Sequence, residues 1–231
     1  MKPSAIMQAW NGAEKCRQCP VRELVLFADL EQDDFNLLHL PIDDFEVQAG
    51  ETLYNENDAA KFVYTIRSGM VKLIRYLPNG NFRIVRLLHQ GDLAGIEALN
   101  GSTYLHHALA LQTTAICRIP IEVIEQLNTK TPHLHKQLTA RWQNVQSDAD
   151  IWLAELTVGS SKKRVANLLL YLASKNFDNS VFLPTREDIG ALLAITTETA
   201  SRITAEFKRL GYIQKLDNNI IQIDKASLEK I

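Results

Sequence analysis

The chain has 231 residues, of which 46% are apolar and 23% are charged, which is the composition of a globular protein and not of a disordered one. No apolar run approaches the ~20 residues of a membrane-spanning helix, and the N-terminus lacks the apolar stretch of a secretory signal, so we expect a cytoplasmic protein with no membrane partner. The net charge of −2 is uneven: from Val158 onward 11 Lys and Arg stand against 8 Asp and Glu, a net of +3, which leaves −5 for the rest. The opposite signs indicate two units with different partners.

Two of the three cysteines lie close together near the N-terminus. Cys16 and Cys19 form a Cys-x-x-Cys pair in "EKCRQCPVREL", and Cys117 lies much later, in "AICRIP". A reducing cytoplasm favours thiols or metal ligands over disulfides. Two thiolates fill only half of a tetrahedral metal site, and the same spacing serves dithiol redox chemistry. The pair alone therefore leaves a metal site, a redox site and no site as alternatives.

Short strands separated by glycines are predicted from about Phe45 to Pro120. The clearest pair lies in "MVKLIRYLPNGNFRIVRLL", where apolar and polar residues alternate on both sides of Asn79-Gly80. These two residues favour a hairpin because both tolerate the positive φ of a tight turn. Several strands at roughly ten-residue spacing predict a small antiparallel barrel or sandwich.

A long helix is predicted next, because apolar residues between Leu134 and Leu156 recur at steps of three or four. They are Leu134, Leu138, Trp142, Val145, Ala149, Trp152 and Leu156. Such a stripe either packs on its own domain or pairs with its symmetry mate in a dimer. A helix of about 35 Å, at ~1.5 Å per residue, is long for a domain of this size, which favours a dimer interface. A shorter helix follows, with one apolar face made of Val165, Leu168, Leu169 and Leu172.

Two more helices are predicted in "TREDIGALLAITTETASRITAEFKRLGYI". The first starts at Thr185, whose hydroxyl can cap free N–H groups, and stops near Leu193-Ala194. The second begins around Thr196-Thr197 and runs to Leu210, where Gly211 ends it. Helices separated by three or four residues have the form of a helix-turn-helix. Two short strands are predicted directly after it, in "YIQKLDNNIIQID". A helix-turn-helix followed by such a hairpin is a winged helix.

The second of these helices has two different faces. The apolar one consists of Ala200, Ile203, Phe207 and Leu210. Glu198, Ser201 and Arg202 share the opposite side near the helix N-terminus. Arg can donate two bonds to guanine, Glu can accept from cytosine and Ser can contact several base edges, so this face can distinguish base sequences. The alternative is an ordinary amphipathic helix with a solvated polar face, and spacing alone does not separate the two. In the wing, Lys215 can lie along phosphates.

Nearly the whole chain resembles the CRP/FNR family of bacterial transcription regulators. The segment from Thr185 is similar to the family's signature T-R-x-[DE]-I-[GA]-x-x-[LIV]-x-x-[ST]-x-E-[TS]-x-[SG]-R, and "LYNENDAAKFVYTIRSGMVKLIRY" and "QGDLAGIEAL" resemble its sensor domain. The resemblance implies an α+β fold: an antiparallel β-roll (a cupin-like double-stranded β-helix), a long dimerisation helix and a C-terminal winged helix-turn-helix. The expected divisions are an N-terminal segment 1–29, a cyclic-nucleotide-binding-like sensor domain 30–120, a helical region 121–157 and a DNA-binding domain 158–231.

The resemblance also implies a homodimer that binds a palindromic site on double-stranded DNA and recruits or blocks RNA polymerase. The residues expected to contact DNA are Thr185, Arg186, Thr197, Glu198, Ser201, Arg202 and Lys215. Glu198, Ser201 and Arg202 would read bases. Thr185 and Arg186 would lie near phosphates. The cAMP-receptor branch has an Arg where this chain has Thr197, so the pattern here is FNR-like. We therefore predict half-sites like TTGAT rather than TGTGA.

The predicted sensor domain departs from the cyclic-nucleotide binders of the family. These use a Gly-Glu-Leu turn and an Arg further along to hold the cyclic phosphate. The corresponding stretch, "GIEALNGSTYLHHALALQTTAIC", has no Arg or Lys between Gly95 and Cys117. The phosphate would lack its counter-charge, so cAMP is not expected as the signal.

The oxygen sensors of the FNR branch hold an iron–sulfur cluster with three N-terminal cysteines and one in the late β-roll. The resemblance places Cys16, Cys19 and Cys117 on three of these positions, and the remaining one falls near Val25, which cannot ligate iron. The cofactor is left open between a cluster completed by another ligand, a thiol switch, a different metal ion and no cofactor. The expected signal is redox state, oxygen or another small molecule.

A second function class is a cupin-like metal enzyme built on the β-barrel. Such an enzyme needs converging His and carboxylate ligands, and the barrel region has no His-x-His or facial-triad spacing. His106 and His107 are adjacent and point to opposite faces of a strand, so they are interpreted as surface or packing residues. The leading interpretation is a non-enzymatic DNA-binding regulator; a regulator whose sensor domain binds no cofactor is the other alternative.

Overall fold

The computed structural model describes residues 42–130, 132–175, 179–217 and 219–231. They form two compact units: the first contains residues 42–75 and Val85–Val145, and the second contains Tyr76–Ile84 and Gln146–Ile231. Cys16 and Cys19 lie outside the described residues. Within the described ranges, no helix combines the length with the apolar character that crossing a bilayer requires.

An antiparallel roll of two sheets is formed by strands β1 to β8. Their bounds are Asp43–Val47 (β1), Thr52–Tyr54 (β2), Phe62–Ser68 (β3), Val71–Tyr76 (β4), Phe82–Leu88 (β5), Leu93–Ala94 (β6), His107–Ala110 (β7) and Thr114–Pro120 (β8). One sheet has the order β1-β8-β3-β6 and the other β2-β7-β4-β5. Side chains alternate between the two faces of a strand, and the inner faces form the core, where Ile66 of β3 lies opposite Ile116 of β8 and both are fully buried. The predicted antiparallel β-roll is confirmed.

The hairpin predicted at Asn79-Gly80 joins β4 to β5, but its turn is longer than a two-residue turn. The N–H of Gly80 donates to the carbonyl of Leu77 (2.9 Å), and the N–H of Leu77 donates to the carbonyl of Asn81 (2.7 Å). Of the two predicted turn residues only Gly80 has a positive φ, +81°. The side chain of Asn79 instead accepts a hydrogen bond from the N–H of Asn81 (3.1 Å), so it stabilises the turn without a left-handed backbone.

Helices account for most of the remaining chain. Their bounds are Ile121–Lys130 (α1), Pro132–Ile151 (α2), Ser161–Ser174 (α3), Arg186–Leu193 (α4), Thr197–Arg209 (α5) and Lys225–Leu228 (α6). The long helix predicted up to Leu156 is α2, which continues through a π-helical turn at Trp152–Leu156. In α3, Ser160 caps the N-terminus. The four residues of its predicted apolar face, Val165, Leu168, Leu169 and Leu172, are buried.

A three-stranded antiparallel sheet belongs to the second unit. Its strands are Ser180–Phe182 (β9), Ile213–Lys215 (β10) and Ile220–Ile223 (β11), in the order β10-β11-β9. The hairpin of β10 and β11 is the predicted wing. Strand β9 was not predicted, because three residues are too few to show a periodic pattern; its pairing with β11 becomes visible only in the tertiary structure.

The helix-turn-helix of α4 and α5 has the predicted boundaries. Thr185 caps α4: its hydroxyl accepts a hydrogen bond from the N–H of Asp188 (3.1 Å) and donates one to the Asp188 carboxylate (2.7 Å). Thr196 caps α5 by accepting from the N–H of Thr199 (3.2 Å). Gly211 follows the capping residue Leu210 and has a φ of +76°, the left-handed conformation that commonly ends helices.

The apolar side of α5 differs from its prediction at the helix end. Ala200, Ile203 and Phe207 are buried as expected, but Leu210 is 46% exposed. Leu210 is the capping residue after the last helical position, so its side chain falls outside the packed stripe. Thr204 is buried instead. Its hydroxyl donates to the carbonyl of Ala200 (2.7 Å), which satisfies the polar group inside the core.

The turn between α4 and α5 brings two backbone segments very close together. A Cβ on Gly190 would lie 2.8 Å from the carbonyl oxygen of Ile195, and the N–H of Ile195 donates to the carbonyl of Gly190 (3.2 Å). Ala194, which ends α4, has a left-handed backbone with φ +53°. The turn therefore requires glycine at position 190 and contains an alanine in a conformation that favours glycine.

Two substitutions in this turn are expected to have opposite effects on stability. Gly190→Ala should lower the free energy of unfolding by about 1–3 kcal/mol, because the clash with a backbone carbonyl outweighs the helix propensity gained. Ala194→Gly should raise it by about 1 kcal/mol, because it relieves the left-handed alanine. Urea unfolding of both variants beside the wild type measures the difference. A neutral Gly190→Ala would show that the two segments are not tightly packed.

Candidate nucleic-acid interface

One side of α5 carries the predicted DNA-contacting residues on the surface. Glu198, Ser201 and Arg202, which we call the base-reading face, are all exposed, and Thr197 beside them is exposed as well. The helix packs through its other side against α3 and α4. The structure therefore brings the three predicted base readers together on a surface that is open to a macromolecule.

Glu198 lies in the first turn of α5. Its own backbone N–H and the hydroxyl of Thr196 lower the pKa of the Glu198 carboxyl below its ordinary value, and both interactions favour the ionised form, which is a hydrogen-bond acceptor. Arg202, one turn further on, is a donor with a guanidinium fork. The Glu198 acceptor and the Arg202 donor lie on adjacent helical turns. They can therefore pair with a donor and an acceptor on base edges in a major groove.

The residues predicted near phosphates are placed differently from one another. Thr185 is exposed, but its hydroxyl proton is directed to Asp188 in the helix cap, so a phosphate contact by this hydroxyl would require that bond to break. Arg186 is half-buried in the first turn of α4. Lys215 is exposed on β10 of the wing.

A cleft between α5 and the wing brings together three of the predicted residues. Arg186, Ser201 and Lys215 all line it. Lys208, which no sequence argument singled out, lines the same cleft. It lies near the C-terminal end of α5, and only the packing of the wing against the helix shows that it shares a surface with the others.

The first unit contains an aromatic cluster formed by Tyr54, Tyr64 and Tyr104. The rings of Tyr54 and Tyr104 stack with their centroids 3.9 Å apart, and those of Tyr54 and Tyr64 lie 5.6 Å apart. The hydroxyl of Tyr104 donates to the carbonyl of Phe62 (2.8 Å). A Cβ on Gly95 would approach the Tyr104 ring to 2.8 Å. This ring thus packs directly over the turn at Gly95.

The electrostatics near the aromatic cluster also oppose an anionic ligand. Burial raises the pKa of Tyr54 and of Tyr104, and the nearby carboxylate of Glu97 adds to both shifts. Burial acts to raise the pKa of Glu97 too, but hydrogen bonding by His106 (3.5 Å) and by backbone N–H groups brings that pKa below its ordinary value. Glu97 is therefore an anion beside the aromatic cluster, and an anionic ligand bound there would be repelled.

The apolar stripe of the long helix is divided between three environments. At its start, Leu134 and Leu138 are buried in the core of the first unit. At its end, Leu156 is buried and the ring of Trp152 packs edge-on against Tyr171 of α3, at 6.3 Å between centroids. The remaining members of the stripe are Trp142, which is 37% exposed, Val145, which is half-buried, and Ala149, which is exposed. Packing among the described residues therefore accounts for both ends of the stripe but not for its middle.

Cys117 is the predicted redox or metal residue that the structure describes. It lies half-buried on β8, opposite Asp44 of β1 and Thr65 of β3. Its neighbour Ile116 points into the core, so Cys117 faces the other side of the sheet. In the described ranges, no three His, Cys, Asp or Glu side chains are placed to hold a metal ion. Cys16 and Cys19, its predicted partners, are outside those ranges.

Both units match known protein families. Residues 44–130 match the cyclic nucleotide-binding domain, and residues 163–231 match the Crp-like helix-turn-helix domain. The chain is 30% identical to the fumarate and nitrate reduction regulatory protein of Escherichia coli K12 over 216 residues, which cover 90% of this chain and 86% of that protein. It is 29% identical to the protein of the same name from Vibrio cholerae over 240 residues, covering 100% and 95%.

Solved structures share the fold at lower identity. FixK2 from Bradyrhizobium japonicum superposes with a TM-score of 0.74 at 24% identity, covering 83% of this chain and 97% of that one. A transcriptional regulator of the CRP family from Thermus thermophilus superposes with a TM-score of 0.69 at 24% identity, covering 80% and 95%. These likenesses support the architecture of a sensor roll followed by a winged helix-turn-helix.

Proposed function

Because this chain belongs to the CRP/FNR family, we propose that it binds a palindromic DNA site as a homodimer and reads each half-site with Glu198, Ser201 and Arg202. It is a DNA-binding transcription regulator and not an enzyme, so the cupin-like metal enzyme is set aside. The observation that carries the proposal is the base-reading face itself: three side chains able to discriminate bases are exposed on one side of α5 while its apolar side is buried.

The proposed dimer places two copies of α5 in successive major grooves. Half-sites of such a site lie one helical turn apart, ~34 Å, so the separation of the two recognition helices decides whether both can bind. The FNR-like pattern of α5 supports half-sites like TTGAT. The regulator would act in the cytoplasm, where its DNA is, by recruiting or blocking RNA polymerase.

The proposed dimer contact is the middle of α2. Trp142, Val145 and Ala149 lie on one stripe, and the residues that the structure describes do not fully cover them. In a two-fold symmetric pair of helices the same residues of both copies face each other across the axis. Apolar residues at helical spacing are the contacts that such a pair requires.

The proposed signal is a cysteine-dependent redox change. The E. coli and V. cholerae relatives are named for fumarate and nitrate reduction, and the aromatic cluster supports a sensor that does not respond to cAMP. A cluster held by four cysteine thiolates does not fit this chain, which has only three cysteines. The candidates are a cluster with one non-cysteine ligand and a thiol pair formed by Cys16 and Cys19.

Arg202 and Lys215 should affect DNA binding in different ways. Arg202→Ala should weaken binding to a TTGAT palindrome by about 1–3 kcal/mol and relax discrimination at one base pair, because a bidentate contact to guanine is lost. Arg202→Lys keeps the charge but not the fork, so it should lose discrimination as well. Lys215→Ala should weaken all duplexes alike. Fluorescence anisotropy with TTGAT, TGTGA and random duplexes measures this, and equal losses on all three for Arg202→Ala would contradict base reading.

Val145→Glu should convert the dimer into a monomer. The substitution places two like charges near the symmetry axis in a partly buried contact, where their repulsion is poorly screened. Gln143→Glu is the matched control, because Gln143 is exposed on the opposite side of the same helix and the charge change is equal. Sedimentation velocity of both variants gives the result. A dimeric Val145→Glu variant would place the interface elsewhere.

Air exposure should change the DNA affinity of protein purified without oxygen. Cys16→Ser and Cys19→Ser should each abolish that change, because each removes one of the two proposed sulfur ligands or thiols. Iron and sulfide analysis with a visible spectrum, before and after air, separates a cluster from thiol oxidation. A colourless, metal-free protein that binds its palindrome equally in both conditions would rule out cysteine-based sensing.

A further inference from the structure

The cleft between α5 and the wing has a volume of about 330 Å³ and a cationic lining drawn from three separate segments. Arg186 reaches it from the first turn of α4, Lys208 from the C-terminal half of α5 and Lys215 from β10. Ser201 of α5 and Asn219 beside β11 add polar groups able to donate hydrogen bonds. We call this surface, defined by these five residues, the cationic cleft.

No carboxylate balances these charges in the cleft. None of the described residues that line it is Asp or Glu. Within the part of the chain that the structure describes, no ion pair joins Arg186, Lys208 or Lys215 to an acid. By contrast, Lys162 on α3 is paired with Glu206 of α5 at 2.8 Å. Like charges gathered around one concave surface repel one another, and a bound anion relieves this repulsion.

The environment of Arg186 supports the same conclusion. Burial removes part of the hydration of its guanidinium and thereby lowers the pKa of that group. A guanidinium remains charged under all ordinary conditions. A partly desolvated cation without a protein counter-ion in the described chain gains the most from an anion that offers several oxygens, and a phosphate does so.

We propose that the cationic cleft binds one phosphodiester of the DNA backbone, with Arg186, Lys208 and Lys215 donating to its oxygens. The inference rests on the proposed function, because it needs DNA on this side of α5. Ser201 belongs both to the cleft and to the base-reading face, so the bound phosphate lies beside the bases that α5 reads. A single phosphate held by α4, α5 and the wing sets the register of the helix in the groove. Lys208 is the new DNA contact.

The test compares Lys208→Gln with Lys230→Gln in the full-length chain. Both substitutions remove one exposed lysine charge from the second unit, but Lys230 does not line the cleft. Affinity for the TTGAT palindrome and for a random duplex is measured over a series of salt concentrations. Lys208→Gln should weaken both duplexes by the same factor and reduce the slope of log K against log salt by about 0.9 per protomer, since one phosphate contact is lost. Lys230→Gln and Lys208→Arg should keep the wild-type slope.

Two of the possible results would disprove the phosphate contact in the cationic cleft, and a third would disprove the proposed sequence-specific DNA binding. A wild-type slope for Lys208→Gln, in a protein that still prefers its palindrome, would disprove the phosphate contact and leave the proposed function intact. A reduced preference for the palindrome at an unchanged slope would make Lys208 a base reader and would also disprove it. A wild type that binds palindrome and random DNA equally would disprove the proposed function, while the slopes on random DNA still decide the role of the cleft.

Discussion

The burial of one side of α5 is the constraint on which the DNA-binding unit depends. Phe207 is completely buried, and Ala200 and Ile203 pack with it against α3 and α4. Burying a side chain of this size contributes about 1.5–3 kcal/mol, whereas ion pairs on the surface contribute little. Packing therefore orients the helix, and the base-reading face points to solvent because the apolar face cannot.

The caps of α4 and α5 and the turn between them fix the positions of the two helices. Thr185 and Thr196 fix where α4 and α5 begin by accepting hydrogen bonds from free backbone N–H groups. Gly190 lets the chain after α4 approach the helix more closely than any side chain would permit. The two caps and the turn determine where Glu198 lies relative to the helix N-terminus, and at that position the backbone N–H and the Thr196 hydroxyl lower the pKa of its carboxyl.

The first unit matches the cyclic nucleotide-binding domain and contains a cluster of stacked tyrosines. Tyr104 stacks on Tyr54 above Gly95, and Glu97 supplies a negative charge at the same place. Aromatic stacking and a hydrogen bond from the Tyr104 hydroxyl to the Phe62 carbonyl stabilise the cluster. In the proposed function the signal is sensed instead by the cysteines. The acidic first part and the basic C-terminal part of the chain fit this division between sensing and DNA binding.

The order of the elements, the boundaries of α4 and α5, and the polar side of α5 could be predicted from the sequence alone. These features depend on periodicity, capping residues and glycines within a few positions of one another, so neighbouring residues suffice to predict them. Which groups from distant segments share a surface could be seen only in the tertiary structure. Tyr104 meets Gly95 only when the roll closes. Each end of the stripe on α2 is covered by the unit to which it belongs. Lys208 joins Lys215 only because the wing packs against α5. The physical reason is that contacts between distant segments follow from packing, which no local pattern of residues encodes.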